Sequence, residues 1–432
     1  MTDKINLKSP ICCVLGHVDD GKTTFLDKIR NTNIQDKEAG GITQQMGATF
    51  FSKDTLIKQT KNILHECDIR VPGLLIMDTP GHEMFSNMRD RGSSICNLAL
   101  VVIDIMHGMK KQTYESIELL QNYKTPFIVL LTKVDKIYQW VNGDFDNIEE
   151  LLKKQEEHVL FHFWNKVNDI IAQLNSLGLN AELFHLNKNK GSYVSMIPVS
   201  SITGDGFPDV FNALINLSQK FMIKKLTYRE KVRCIVLEVR DLAGVGKTID
   251  VILANGSLNV GDRIFFLTSN GYKKSIIKRI YIPPESKEIR EKSNLIQCEC
   301  IQASASVKIF ADDLDDVVAG HPLYIINDMS EDEIIELGEN MVKELRDMLV
   351  TKHQIGLHLQ TSSMGSMEAI SNYLEEKGIN VATKGLGKMH KKDALKVFPQ
   401  IEKSKSKRYH VVLAFDVSVT KDAEEELTRG DI

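Results

Sequence analysis

The chain has no membrane-length apolar run. Its longest hydrophobic stretch, Leu98–Ile103, ends at Asp104, far short of the about 20 residues a spanning helix demands. Residues 1–9 are polar and hold no signal-peptide apolar core. No membrane partner is expected. Proline is sparse, with 10 in 432 residues, and neither internal repeats nor low-complexity tracts occur, so the composition is that of an ordinary globular protein. Cysteine is sparse too: seven residues, scattered, with no Cys-x-x-Cys pair. Cys298 and Cys300 have no matching pair nearby, which argues against zinc. Cys12, Cys13 and Cys96 lie in apolar stretches and are expected as buried thiols. This pattern fits a reduced, cytoplasmic setting. A net charge of −4 gives no global case for nucleic-acid binding, so any such surface must be local.

What is present begins with Gly16–Thr23, GHVDDGKT, which fits G-x-x-x-x-G-K-[ST]. Apolar Ile11–Leu15 before it reads as a strand and Thr24–Arg30 after it as a helix, the context that a phosphate loop requires. Glycines let successive backbone N–H groups curl round a phosphate, and the helix N-terminus adds partial positive charge. Asp19, Asp20, Gly21, Lys22, Thr23 and Thr24 are therefore assigned to phosphate binding. Lys22 would neutralise the β- and γ-phosphates, and the Thr23 hydroxyl would ligate Mg²⁺.

Length suggests two to four domains. Residues 1–226 alternate strands (11–15, 74–78, 98–103, 127–131, 196–199) with helices (24–30, 112–122, 148–175, 207–220). Near-continuous apolar strands such as Phe127–Leu131 imply a doubly wound parallel sheet. Gly178 is placed as the C-terminal cap of the long helix. Residues 227–328 switch to short alternating runs (232–240, 248–253, 263–267, 275–281, 307–310) broken by Gly, Asn-Gly and Pro-Pro turns, which predicts a β-barrel. From 329 to 432 a capping box at Ser330 opens a connector helix. Behind it an α/β/α pattern follows: strand 355–360, helix 365–377, a strand–helix unit over 379–398 and strand 409–419. The pattern over Ala423–Leu427 turns helical again as the sequence closes, so the third domain is expected to be incomplete. The fold class is thus α/β: a P-loop GTPase domain, a β-barrel and an α/β/α domain.

Three further stations decide the nucleotide. Asp78-Thr79-Pro80-Gly81 follows an apolar strand, so Asp78 can hold Mg²⁺ through a water and the Gly81 N–H can meet the γ-phosphate. Thr132-Lys133-Val134-Asp135 follows strand 127–131; Asp135 would accept from guanine N1–H and the exocyclic amine, a donor pair adenine lacks. Ser200-Ser201-Ile202 can offer a backbone N–H to guanine O6. Each is a common turn in isolation, and their order along the chain is what gives them weight. Gly40-Gly41-Ile42-Thr43 supplies a threonine that could complete the Mg²⁺ shell only while a γ-phosphate is present. His82, one residue past Gly81, is the candidate to orient the attacking water.

These motifs, with AGGITQQMGAT (39–49), DTPGHEMFSNMRDRG (78–92), VSMIPVSSITGDG (194–206) and GVGKTIDVILANG (244–256), resemble the initiation factor 5B family of translational GTPases, related to bacterial initiation factor 2. The resemblance implies that His82 positions the hydrolytic water behind an apolar gate of Val18 and Ile42, and that Asp19 helps hold a monovalent cation, K⁺ or Na⁺, near the phosphates. It implies a ribosome-stimulated GTPase that promotes joining of the small and large ribosomal subunits and leaves after hydrolysis, with GTP/GDP, ribosomal RNA and other initiation factors as partners. Alternatives are a tRNA-delivering GTPase and a hydrolysis-poor, GTP-gated ribosome-binding module. Position 132 is Thr where the family carries Asn, so weaker guanine binding is expected. Asp20 should repel phosphate unless it points away or meets a cation. No counterpart of the family's tRNA-binding C-terminal barrel is evident, so direct initiator-tRNA binding is not expected. A basic set (Lys384, Lys388, Lys391, Lys392, Lys396, Lys403, Lys405, Lys407, Arg408) is a candidate ribosomal RNA contact.

Overall fold

A computed structural model describes residues 6–30, 47–60, 63–64, 69–78, 95–143, 145–242, 246–269, 271–287, 289, 295–351, 353–362, 364–399 and 409–430. Ile42, Thr43, Gly81 and His82 lie outside these residues, as do Lys403, Lys405, Lys407 and Arg408.

The first sheet has seven strands: β1 (Ile11–Gly16), β2 (Gly47–Ser52), β3 (Gly73–Asp78), β4 (Leu98–Asp104), β5 (Phe127–Thr132), β6 (Ala181–Leu183) and β7 (Val194–Pro198), in the spatial order β2-β3-β1-β4-β5-β7-β6. Only β2 runs antiparallel, along β3. Strands β1, β3 and β4 are buried along their whole length, because helices cover both faces: α1 (Lys22–Arg30), α2 (Lys53–Gln59), α3 (Lys111–Asn122), α4 (Ile148–Lys153), α5 (Glu157–Ser176), α6 (Phe207–Phe221) and α7 (Ile223–Leu226). Two cores result, one on each face.

The single helix expected over 148–175 is two. Gln155 receives the Val141 N–H (2.9 Å) and donates to the Val141 carbonyl (2.7 Å), and the chain is extended at Glu156 before α5 begins. Gly178 does end α5, with φ +76° and its N–H on the Asn175 carbonyl. Cys13 and Cys96 were expected as free buried thiols; they meet as a disulfide, Cα atoms 6.0 Å apart. Cys12 is a buried thiol.

Ten strands follow: β8 (Arg233–Leu242), β9 (Gly246–Asn255), β10 (Ser257–Asn259), β11 (Arg263–Thr268), β12 (Gly271–Ile276), β13 (Arg279–Ile282), β14 (Ile296–Cys298), β15 (Cys300–Gln302), β16 (Ala305–Phe310) and β17 (Pro322–Ile325). Eight form an antiparallel sheet, β12-β11-β17-β8-β9-β16-β13-β14, curled round one core; β10 and β15 pair beside it. The run 275–281 is two strands, not one. Ile277 leaves the ladder to exchange backbone hydrogen bonds with Gly261 and Asp262.

Ser330 caps α8 (Glu331–Leu349), and Glu333 returns to the Ser330 N–H at 2.8 Å, completing the capping box. Beyond it come β18 (Leu357–Thr361), α9 (Met364–Glu376), β19 (Val381–Leu386), α10 (Lys391–Leu395), β20 (Val412–Phe415) and α11 (Lys421–Arg429), with a parallel sheet ordered β19-β18-β20. Helix α11 seats Ala423 against Met389 and Ala394. No described helix is long and apolar enough to cross a membrane.

The barrel leans on the first sheet at β2. Ile289 and Ser286 donate to the Ala48 and Phe50 carbonyls (3.2 and 3.1 Å), and Glu285 accepts from Ser52 and Thr55.

Candidate functional site

The phosphate loop leaves the C-terminal end of β1 and enters α1. Gly16 turns at φ +146°, where a Cβ would stand 2.5 Å from the Val102 carbonyl oxygen, so only glycine fits beside β4. Asp19 and Gly21 also have positive φ, 64° and 93°. The Lys22 ammonium reaches back across the loop to the carbonyls of Gly16 (3.1 Å) and His17. Lys22 and Thr23 are buried; Thr24 is half-buried. Val18 is tied down by its N–H, which donates to Gln112 Oε1 at 3.0 Å.

The second loop arrives from β5, two strands away. The Thr132 hydroxyl donates to the Asp20 carbonyl at 2.6 Å. Lys133, at φ +63°, lays its side chain over the phosphate loop and donates to the Asp19 carbonyl (2.5 Å) and to Asp104 (2.8 Å). Its Cε and the Thr132 side chain lie 3.9 Å from where a Gly21 Cβ would project. Asp135 sits in a short 3₁₀ turn, Val134–Lys136, and is half-buried. The third loop is fixed from within: Ser200 is buried, its N–H donates to the Asp205 carbonyl (3.1 Å) and its hydroxyl oxygen accepts from Thr203 N–H (3.2 Å). Ser201 is half-buried and Ile202 exposed, with Lys28 of α1 donating to the Ile202 carbonyl at 3.1 Å. The phosphate loop and the Thr132–Asp135 loop are therefore joined by direct hydrogen bonds, and α1 reaches the third loop through Lys28, all at the C-terminal ends of parallel strands where such sheets bind ligands.

Asp20 meets a cation. It is fully buried, and Lys110, just before α3, donates to its Oδ1 at 3.0 Å. Its other oxygen, Oδ2, has no hydrogen-bond partner among the described residues. The charge that looked unfavourable in the sequence is thus paired with a cation 90 positions later. Nothing local in the sequence couples the two.

Asp78 closes β3 and is fully buried; strand register sets it beside Val14 of β1. A threonine hydroxyl at the head of α1 and a carboxylate at the neighbouring strand end are hard oxygen donors, the chemistry that suits Mg²⁺. Asp19 is exposed. The three loop contacts also recruit residues that motif reading passed over: Asp104, Gln112 and Lys110. Asp104 had a signal, standing at the end of β4 on the ligand-facing edge. Burial pushes its carboxyl pKa up, but hydrogen bonds from Lys133, the Met106 N–H and His107 outweigh burial and hold it below the usual aspartate value. His17 is shifted down, first by burial, against an upward pull from Asp20.

Residues 7–220 match the family described as Elongation factor Tu GTP binding domain, and residues 330–432 match Translation-initiation factor 2. Eukaryotic translation initiation factor 5B of Schizosaccharomyces pombe is 44% identical over 97% of this chain. The chain covers 39% of that protein, so it spans about two fifths of this relative's length. A probable translation initiation factor IF-2 of Methanosarcina mazei is 35% identical over 100% of this chain and 72% of its own length. The crystal structure of GDP-bound aIF5B from Aeropyrum pernix superposes with a TM-score of 0.73 at 34% identity, covering 99% of this chain and 71% of that one. The chain carries a GTP-binding domain, and it belongs to the initiation factor 5B family of translation initiation factors.

Proposed function

We propose that the chain is a GTPase stimulated by the ribosome, promotes joining of the small and large subunits, and departs once GTP is hydrolysed. The observation that carries the proposal is the bonding of the guanine-side loop to the phosphate loop, in which Thr132 and Lys133 hold Asp20 and Asp19 by their carbonyls, in a chain related along its full length to initiation factors. Backbone N–H groups of residues 19–24 cradle the phosphates, and Lys22 offsets their charge. Asp135, with Ser200, Ser201 and Ile202, reads the guanine. Thr23, Thr43 and water-linked Asp78 hold Mg²⁺, which supplies charge neutralisation at the phosphates. Gly81 reports the γ-phosphate. His82 orients the water behind Val18 and Ile42, and Asp19 holds the monovalent cation.

Signal transfer to the barrel runs through β2. This strand follows the Thr43 segment directly, and Ile289 and Ser286 grip its backbone. We place the domain limits at 226/227 and 328/329. A parallel three-stranded sheet in that third part, instead of a second barrel, favours this reading over a tRNA carrier. Cytoplasmic action follows from the same role, as does contact between ribosomal RNA and the basic set; within that set Lys391 and Lys396 pair with Glu426 and Asp393. The test is light-scattering of subunit joining with the purified chain. GTP should speed joining; equal joining with and without the protein defeats the proposal.

A further inference from the structure

Between the first sheet's domain and the barrel lies a groove of about 820 Å³. Five cationic side chains line it: Lys8 and Lys225 from the GTPase side, Arg229 and Lys231 from the connecting stretch, and Arg233 at the start of β8; among the described residues no Asp or Glu lines it. In a chain with 58 acidic and 54 basic residues, that one-sidedness is not inherited from composition. Lys225, Arg229, Lys231 and Arg233 are exposed. Among the described residues, Lys225, Arg229 and Lys231 have no carboxylate partner.

Lys8 forms the floor. It is 8% exposed and donates to the Ala254 carbonyl of the barrel, while its own N–H donates to the Leu226 carbonyl at 2.9 Å. Burial, and then the charges of Arg233 and Arg229, bring its pKa down to about 8. A cluster in which cations disfavour one another is relieved by an anion. Arg229, Lys231 and Arg233 follow one another at two-residue intervals along a single stretch that lines the groove, with Val232 among the lining residues and Glu230 not. That presents a row of charges instead of one converging point. Tyr123, 47% exposed at the rim, adds a ring on which a base can stack.

We propose that this groove binds a single-stranded nucleic-acid segment through its backbone phosphates, gripping the GTPase domain and the barrel at once. The site is separate from the GTP site and does not depend on whether the ribosome stimulates hydrolysis.

The test uses the full chain saturated with GDP and a fluorescein-labelled oligouridylate, read by anisotropy across a salt series. Each phosphate contact in a single strand contributes about 0.7 to the slope of log affinity against log salt. The triple variant Lys225→Glu/Arg229→Glu/Lys231→Glu should bind at least about tenfold more weakly, with the slope reduced by about 2. GDP affinity and thermal melting should match wild type, which separates loss of the groove from loss of the fold. Lys8→Met should weaken oligouridylate binding to a smaller degree. Inorganic triphosphate should compete only in large excess. Equal binding by wild type and the triple variant overturns the proposal. So does binding of triphosphate without binding of the strand.

Discussion

The Thr132 hydroxyl donates to the Asp20 carbonyl at 2.6 Å, and this bond joins the guanine-side loop to the phosphate loop. Thr132 is 1% exposed, so solvent does not replace the bond when it is lost. Thr132→Val keeps the shape and removes the donor. One neutral hydrogen bond contributes about 1–1.5 kcal/mol, so GDP should bind roughly tenfold more weakly. Thr132→Asn restores a longer group that can reach both base and loop, and should tighten GDP. Calorimetric titration of both variants checks this; unchanged affinity in Thr132→Asn contradicts the idea that threonine is a partial substitute.

Lys110 is the only cation paired with Asp20 among the described residues. Lys110→Met leaves a fully buried carboxylate uncompensated. A completely buried pair broken on one side costs about 3–5 kcal/mol. Lys110 is 32% exposed, so water softens the loss and about 2 kcal/mol is expected. The urea midpoint should fall accordingly, and Asp20→Asn combined with Lys110→Met should recover most of it. A midpoint unmoved by Lys110→Met would show that the pair is incidental.

Asp104 supplies a pH dependence with a defined sign. Its folded pKa lies below the ordinary 3.8, so the unfolded chain binds the proton more readily. The stabilisation is complete at neutral pH and disappears as pH falls below about 4 and through the folded pKa. Asp104→Asn should lower stability by about 2 kcal/mol at pH 7, the scale of a hydrogen bond to a charged group. Urea melts at neutral and acid pH should show the gap between wild type and variant closing on acidification. A gap that widens in acid contradicts the assignment.

How much of this was legible in the sequence differs between backbone and side chains. Strands β1, β3, β4, β5 and β7 were readable because burial on both faces makes them continuously apolar. The site motifs were readable because phosphate and guanine demand fixed residue types at fixed spacing. Short or peripheral strands carry weaker patterns: β2, β6 and β17 went unseen, as did β10, β14 and β15, each of which sets a single residue (Leu258, Cys298 and Ile301) on the barrel core. The split between α4 and α5 was hidden because Gln155 breaks the helix by hydrogen bonds to Val141, a contact between residues distant in the periodic pattern. Lys110 and Asp20 are separated by β2–β4, and local reading has no means to pair them. The same holds for Cys13 and Cys96, brought together only when β1 and β4 lie side by side.

Ribosome-stimulated hydrolysis is measured most directly as GTP turnover by the purified chain alone, with small subunits, with large subunits and with both, for wild type and His82→Ala. Turnover should be slow alone, rise steeply with both subunits together, and lose that rise in His82→Ala while GTP affinity is kept. Turnover by wild type that ignores ribosomes would contradict the account.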